Sequence, residues 1–255
     1  MWRIIRIVIL LFVLATVAQT AWLARARSIE WRTSLRVVLY PISTGTTGTA
    51  ARYVAALREP SFDIIEGFFV DEGKRYALAL AQPVDVRLAP PIASQPPDPP
   101  FGGSRLAVIL WSLKLRYWAW RNDNYKGPKP HVRIFVSYHD PAERPQVPHS
   151  TGLHKGLIGV VNAFARSDMD GSNAVVITHE LLHTLGATDK YDPVTNQPVY
   201  PEGYADPDAA PLLPQARAEI MAGRIALSET RAEIPVRLDD VLIGGRTARE
   251  INWAR

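Results

Sequence analysis

The distribution of apolar residues along the chain predicts a sheet packed against helices. Runs rich in β-branched residues predict strands at 35–42, 84–90, 131–140 and 156–165. Longer segments with helical periodicity predict helices at 51–78 (broken near Pro60), at 104–122, at 172–186 and from about Thr247. The order of these elements fits one mixed sheet with helices packed against it, which is an α+β fold.

The helix predicted at 104–122 is apolar around much of its circumference. Lys114 and Arg116 interrupt the apolar run, which argues against a membrane span. We therefore expect a buried helix at the centre of the fold. The proline-rich stretch at 90–103 predicts an extended loop inside the same domain, because too little chain precedes it to form an independent core.

A second apolar run lies near the amino terminus, at residues 7–24. It is flanked on both sides by arginines, namely Arg3, Arg6, Arg25 and Arg27. This length is at the lower end of what spans a bilayer as a helix, and a cleaved signal peptide has a shorter apolar core. We predict that 1–27 is an uncleaved signal anchor, with a cleaved signal peptide as the alternative. Either form exports the body, residues 28–255, to the periplasmic or extracellular side.

Composition narrows the classes of function. The net charge of +4 comes from the four arginines of the amino-terminal segment, and without them 25 basic residues balance 25 acidic ones. A neutral body gains little from contact with phosphate backbones, so we expect no nucleic-acid partner. The chain has no cysteine, which excludes disulfides, thiolate metal sites and cysteine nucleophiles.

Residues 178–192, THELLHTLGATDKYD, carry the clearest candidate chemistry. His179 and His183 are four residues apart, so on a helix both imidazoles can point at one ion. Glu180 is offset from His179 by about 100° and is better placed to reach a water beside the metal than to coordinate it. In zinc proteases, two histidines spaced in this way hold the metal and the glutamate acts as general base.

A catalytic zinc site needs a third protein ligand and an open fourth position. Gly186 can take a positive φ, so the chain can leave the helix and double back. Asp189, three residues later, would then reach the metal. We therefore predict one catalytic Zn²⁺ held by His179, His183 and Asp189. With Glu180 as general base, the expected activity is zinc-dependent endopeptidase cleavage of a peptide or protein substrate.

The pattern HExxHxxGxxD resembles the metzincin metalloproteases, in the branch with aspartate as third ligand. HTLGATDKY is similar to the HxLGxxDxY run of snapalysin-like secreted proteases, with matches at His179, Glu180, His183, Gly186, Asp189 and Tyr191. The resemblance implies a zincin/metzincin-like fold in which a methionine turn lies beneath the metal, and Met221 suits that turn. It also implies an edge strand that pairs with extended substrate, for which 156–165 is the candidate.

Two further assignments concern the region after the helix. Tyr191 and Tyr204 are both candidates to stabilise the oxyanion, and the sequence does not choose between them. The loop from Asp192 to Gln215 is rich in acids. We expect its carboxylates to be exposed to water rather than to bind Ca²⁺. These acidic residues are Asp192, Glu202, Asp206 and Asp208.

Two other functions stay open. In a thermolysin-type zinc hydrolase the third ligand would be Glu202, which lies 19 residues after His183. That class supplies its glutamate from a helix, which the neighbouring Pro201 and Gly203 disfavour. The other alternative is a membrane-tethered zinc-containing binding or scaffold protein without turnover. Against it, a structural zinc site closes with four protein ligands and has no use for a general base such as Glu180.

Overall fold

The computed structural model of the chain describes Trp2, Arg6 and residues 29–100, 102–148, 150–153 and 157–254. Apart from Trp2 and Arg6, the predicted anchor or signal peptide at 1–27 lies outside the described residues. Among the residues that are described, no helix has the length and apolar character needed to cross a membrane.

The main sheet of the described chain has five strands. They are β1 (Leu35–Ser43), β2 (Val84–Leu88), β3 (Val132–His139), β4 (Thr151–Leu153) and β5 (Ile158–Phe164). Their order across the sheet is β2-β1-β3-β5-β4. All neighbours run parallel except β4, which pairs antiparallel with β5. The four predicted strands are present, whereas β4 is too short for an alternating pattern to reveal it.

Helices and short strand pairs complete the fold. The helices are α1 (Thr49–Ala56), α2 (Asp63–Arg75), α3 (Arg105–Arg121), α4 (Asp170–Leu185) and α5 (Gly245–Glu250). A 3₁₀ turn at Glu59–Phe62 separates α1 from α2, so the predicted break near Pro60 is confirmed. The short strands are β6 (Ala218–Glu219), β7 (Ile225–Ala226), β8 (Ala232–Glu233) and β9 (Val241–Leu242), and β6 pairs with β9 and β7 with β8. The result is a mixed α/β fold built on a central, mainly parallel sheet.

The central sheet separates two hydrophobic cores, because successive side chains of a strand point to opposite faces. In β1, Val37 and Leu39 face the first core, which also contains residues of α1, α2 and α4. Val38 and Tyr40 face the second core. Among the described residues, the helical side chains of the second core all come from α3, namely the buried Trp111, Leu115 and Ala119 and the half-buried Trp118.

α3 is not the central buried helix that its sequence predicts. Only the stripe formed by Trp111, Leu115 and Ala119 is buried. Large apolar side chains elsewhere on the helix are exposed to solvent, and we call six of them the exposed stripe: Leu106, Ile109, Leu110, Leu113, Tyr117 and Trp120. The prediction fails because an apolar circumference does not reveal how many sides of a helix meet protein, and α3 meets the sheet on one side only.

α4 positions the residues of the candidate site. Its inward side is fully buried in the first core through Ile177, Leu181 and Leu185. Near its start, the Asn173 side chain accepts a hydrogen bond from the amide of Phe164 at 3.0 Å and donates one to the carbonyl of Phe164 at 2.9 Å. These bonds attach the first turn of α4 to the carboxyl end of β5.

β4 forms the edge of the sheet next to α4. It pairs with Ile158–Val160 of β5, and beyond that point the amide of Asn162 donates to the Ser150 hydroxyl at 3.0 Å. The strand predicted at 156–165 is therefore present, but its predicted position at the edge is wrong. The edge strand is β4, which packs against α4.

The close packing at the start of α4 can be tested with glycine substitutions. A Cβ at Gly171 would lie 2.4 Å from the carbonyl oxygen of Val236, so the backbone would have to move. We expect Gly171→Ala to lower the free energy of unfolding by about 1–3 kcal/mol. Gly67→Ala is the matched control inside α2, where a Cβ meets no atom within 4 Å, and it should raise stability by about 0.5–1 kcal/mol. Urea denaturation measures both, and equal effects would contradict the tight packing at Gly171.

Candidate metal centre

His179 and His183 lie one turn apart on the same face of α4. Their ring centroids are 4.7 Å apart and their planes are nearly perpendicular, at 85°. The Nε2 atoms of both rings approach Oδ1 of Asp189, at 3.3 Å from His179 and 3.2 Å from His183. His179, Glu180 and His183 also offer ligand atoms within 4.8 Å of one another, a group that could hold a metal ion. These three residues and Asp189 are called the candidate metal site below.

Gly186 ends α4 and reverses the chain. Its φ of 116° lies in the region that favours glycine over residues with a side chain. The amides of Gly186 and Ala187 both donate to the carbonyl of Leu182, at 3.1 Å each, which closes the end of the helix. The reversal brings Asp189 back beside the two histidines of the last turns.

Backbone carbonyls orient both histidine rings. Nδ1 of His179 lies 2.9 Å from the carbonyl oxygen of Ile220, and Nδ1 of His183 lies 2.9 Å from that of Ala187. A carbonyl only accepts hydrogen bonds, so each Nδ1 carries a proton and each neutral ring keeps its lone pair on Nε2. Histidines that bind metals usually donate their other ring N–H in this way, which sets the tautomer and the ring orientation.

Three electron-rich atoms therefore meet at one point, namely two Nε2 lone pairs and the Asp189 carboxylate oxygen. They repel one another unless a positive charge lies between them, either a ring proton or a metal cation. Burial lowers the pKa of His179, but the hydrogen bond to Asp189 and the charge of Glu180 raise it overall. Burial raises the pKa of Asp189, but both histidines together hold it well below its usual range. The residues present thus fit a bound cation.

Met221 lies in a tight turn beside His179. The amide of Gly223 donates to the carbonyl of Glu219 at 3.2 Å, and Gly223 has a φ of 66°. Met221 is fully buried in the first core. The same turn presents the carbonyl of Ile220, which accepts the hydrogen bond from the His179 ring.

The buried carboxylate of Glu219 holds this turn, and no feature of the sequence motif points to it. Its Oε2 accepts hydrogen bonds from the amides of Met221 at 2.6 Å and Ala222 at 3.0 Å. Its Oε1 accepts from the amide of Gly244 at 3.0 Å and the hydroxyl of Thr247 at 2.6 Å. Burial raises the pKa of Glu219, while these hydrogen bonds oppose the rise. The turn is thereby bonded to the start of α5.

Glu250, at the end of α5, holds the loop that carries Asp189. Thr188 donates both its amide and its hydroxyl to Glu250, at 2.9 Å each, and Lys190 Nζ pairs with Glu250 Oε2 at 2.8 Å. Burial raises the pKa of Glu250, but the bonds from Lys190 and Thr188 lower it overall. Both chain neighbours of Asp189 are thus bound to one carboxylate of α5.

The two candidate tyrosines have different surroundings. Tyr191 follows Asp189 by two residues, and burial raises its pKa, with the negative charges of Asp189 and Glu180 adding to the rise. Tyr204 packs its ring edge-on against Tyr200, with centroids 5.5 Å apart. Tyr191 is therefore close enough to the candidate metal site for the charges of Asp189 and Glu180 to act on its hydroxyl.

The acidic loop follows the candidate metal site along the chain. Oδ1 of Asp192 accepts hydrogen bonds from the amides of Val194 at 2.9 Å and Thr195 at 2.7 Å, which is a local turn. Glu202 is exposed within another turn of the loop. Within the described ranges, the group of three candidate ligands contains His179, Glu180 and His183 but none of the carboxylates Asp189, Asp192 and Glu202. Asp189 differs from the other two in its short distances to both histidine rings.

A cavity of about 640 Å³ at the carboxyl ends of β1 and β3 is separate from these residues. It contains a buried histidine, His139, whose two ring nitrogens bond to Thr44 Oγ1 at 2.9 Å and Asn162 Oδ1 at 2.8 Å. Both ring nitrogens are therefore committed to hydrogen bonds within the fold.

Comparison with known proteins assigns no family to this geometry. The sequence matches no protein-family model and no curated protein. The chemistry of the candidate metal site rests on the positions and hydrogen bonds of its atoms.

Removing the Glu219 carboxylate should loosen the turn beside His179. Glu219→Ala leaves four donors without their acceptor. Each unsatisfied buried donor costs about 1–3 kcal/mol, so we expect the free energy of unfolding to fall by at least about 3 kcal/mol. Glu233→Ala, at an exposed glutamate of β8, is the control and should change stability by less than about 0.5 kcal/mol. Similar small changes in both denaturation curves would show that Glu219 does not hold the turn.

Proposed function

We propose that the protein is a zinc-dependent endopeptidase of metzincin type. The supporting observation is that Nε2 of His179 and of His183 converge on one carboxylate oxygen of Asp189, while both Nδ1 atoms donate to backbone carbonyls. Two imidazoles and a carboxylate form a ligand set suited to Zn²⁺. Three protein ligands leave a fourth position for water or substrate, as in catalytic zinc sites.

Zinc held by His179, His183 and Asp189 would supply Lewis-acid chemistry and would lower the pKa of water toward neutrality. Glu180 is the general base: it takes a proton from the attacking water and then delivers it to the amine that leaves. Its side chain is buried, and its place directly after His179 in α4 keeps a carboxylate oxygen within 4.8 Å of the ligand nitrogens of His179 and His183. The overall reaction adds water across a peptide bond and releases a carboxylate and an amine.

The edge strand β4 suits an extended substrate. One edge of β4 pairs with β5, the other is the border of the main sheet, and the strand packs against α4. A peptide that adds to such an edge is held by main-chain hydrogen bonds, which do not depend on its side chains. This arrangement supports cleavage within extended protein segments.

Tyr191 is the better candidate to stabilise the oxyanion. It lies two residues after Asp189. Burial raises the pKa of its hydroxyl, and the negative charges of Asp189 and Glu180 add to the rise. Tyr204 packs edge-on against Tyr200. A tyrosine hydroxyl near the reacting carbonyl acts by donating a hydrogen bond to the developing negative charge.

We include in the proposal that residues 1–27 anchor the protein in a membrane or direct its export. The support is the apolar run at 7–24 with arginines on both sides. The body would then face the periplasm or the extracellular space.

The identity of the third ligand is tested by comparing two carboxylates. Loss of a residue that only hydrogen-bonds to a metal ligand weakens metal binding by roughly 10–100-fold. Asp189→Ala removes a ligand atom itself, so we expect it to weaken zinc binding by more than this. Glu202→Ala, at an exposed turn residue, is the control and should bind zinc as the unmodified protein does. Zinc titration of the two variants measures this, and loss of binding only in Glu202→Ala would favour the thermolysin-type arrangement.

The catalytic role of Glu180 is tested separately from metal binding. Glu180→Gln should retain zinc and cleave a peptide library about 10²–10⁴-fold more slowly, because the general base is lost. Mass spectrometry of the digests and metal analysis of the same samples give both quantities. If the unmodified protein and Glu180→Gln both hold zinc and neither cleaves, the protein is a zinc-containing binding or scaffold protein.

A further inference from the structure

The exposed stripe of α3 is an apolar surface without a partner among the described residues. Leu106 is 64% exposed, Leu113 58% and Trp120 71%. At about 100° per residue, the six side chains of the stripe fall within an arc of roughly 100°, opposite the buried stripe that packs on the sheet. A contiguous apolar patch of this kind marks a site of contact with a partner or a membrane.

The charged residues of α3 flank this stripe and all carry the same sign. They are Arg105, Lys114, Arg116 and Arg121, and α3 contains no aspartate or glutamate. At about 100° per residue, Arg105 and Arg116 lie along one border of the stripe, and Lys114 and Arg121 lie along the other. Tyr117 and Trp120 belong to the residue types that favour the boundary between water and lipid.

We propose that α3 docks on an anionic lipid surface. The exposed stripe enters the boundary between headgroups and acyl chains, and the exposed cationic side chains of Arg105, Lys114 and Arg121 on its two borders reach the anionic headgroups. This contact is distinct from the amino-terminal segment and from the candidate metal site, and it depends on neither.

Charge complementarity selects this partner over the two that the chain itself could supply. Two copies of α3 packed stripe to stripe would bring four cations against four, with no acidic residue on either helix. Residues 1–27 are a second apolar candidate, but their charged residues are also all arginines. Like charges brought together oppose association, whereas an anionic headgroup layer attracts each cation.

The absence of native cysteine allows a site-specific test in the full-length chain. Leu113→Cys places an environment-sensitive fluorophore in the centre of the exposed stripe. Val194→Cys places the same fluorophore at a residue that is 87% exposed and lies outside α3, as the matched control. Both proteins are combined with vesicles of phosphatidylcholine and phosphatidylglycerol, or of phosphatidylcholine alone, with and without nitroxide-labelled lipid as quencher.

We expect the label at position 113 to shift to the blue and to be quenched by nitroxide lipid in the anionic vesicles, while the label at 194 does neither. Combining Lys114→Gln and Arg121→Gln should weaken this contact by roughly fivefold per charge removed. An equal shift with phosphatidylcholine alone would overturn the requirement for anionic lipid.

Three other results would assign the exposed stripe elsewhere. A blue shift before lipid is added, increasing with protein concentration, would show that a second copy covers it. A shift before lipid that is independent of concentration would show that another part of the same chain covers it. A label at 113 that stays in water with every vesicle would leave an acidic protein surface as the partner and overturn the lipid proposal.

Discussion

The candidate metal site depends on one electrostatic constraint, which is that three electron-rich atoms are held together. Nε2 of His179 and Nε2 of His183 both lie within 3.3 Å of the same Asp189 oxygen. A cation between them turns this repulsion into attraction, so the geometry is stable when that charge is present. Backbone carbonyls fix the tautomers of both rings, and the turn at Gly186 brings Asp189 back beside them. Both features bring the three atoms together.

The carboxyl-terminal helix α5 keeps the surroundings of these atoms in place. Glu219 joins the turn that contains Met221 to α5 through Thr247, and Glu250 joins α5 to the residues on both sides of Asp189. These carboxylates lie in largely buried surroundings where each hydrogen bond is stronger than in water. The turn behind His179 and the loop of Asp189 are therefore held by one short helix rather than by contacts with each other alone.

Local features of this protein are predictable from sequence, and long-range ones are not. The spacing of His179 and His183 places both on one face of a helix, and Gly186 allows the chain to turn back. The sequence therefore predicts that the two histidines and Asp189 lie close together, as they do in the structure. Glu219 meets its partner 28 residues away and Glu250 meets its partner 62 residues away. No local pattern encodes those pairings. The strands of the central sheet are likewise predictable, whereas the short edge strand β4 and the single-sided burial of α3 depend on how the layers pack.

The two proposals together restrict the direction from which substrate arrives. α3 packs in the second core and α4 in the first, on opposite faces of the central sheet. Each helix layer lies about 10 Å from the layer it packs on, so a lipid surface at the exposed stripe is roughly 20 Å or more from the candidate metal site. In that orientation the central sheet lies between the bilayer and α4. Substrates would then be extended segments in the aqueous phase beside the membrane rather than segments inside it.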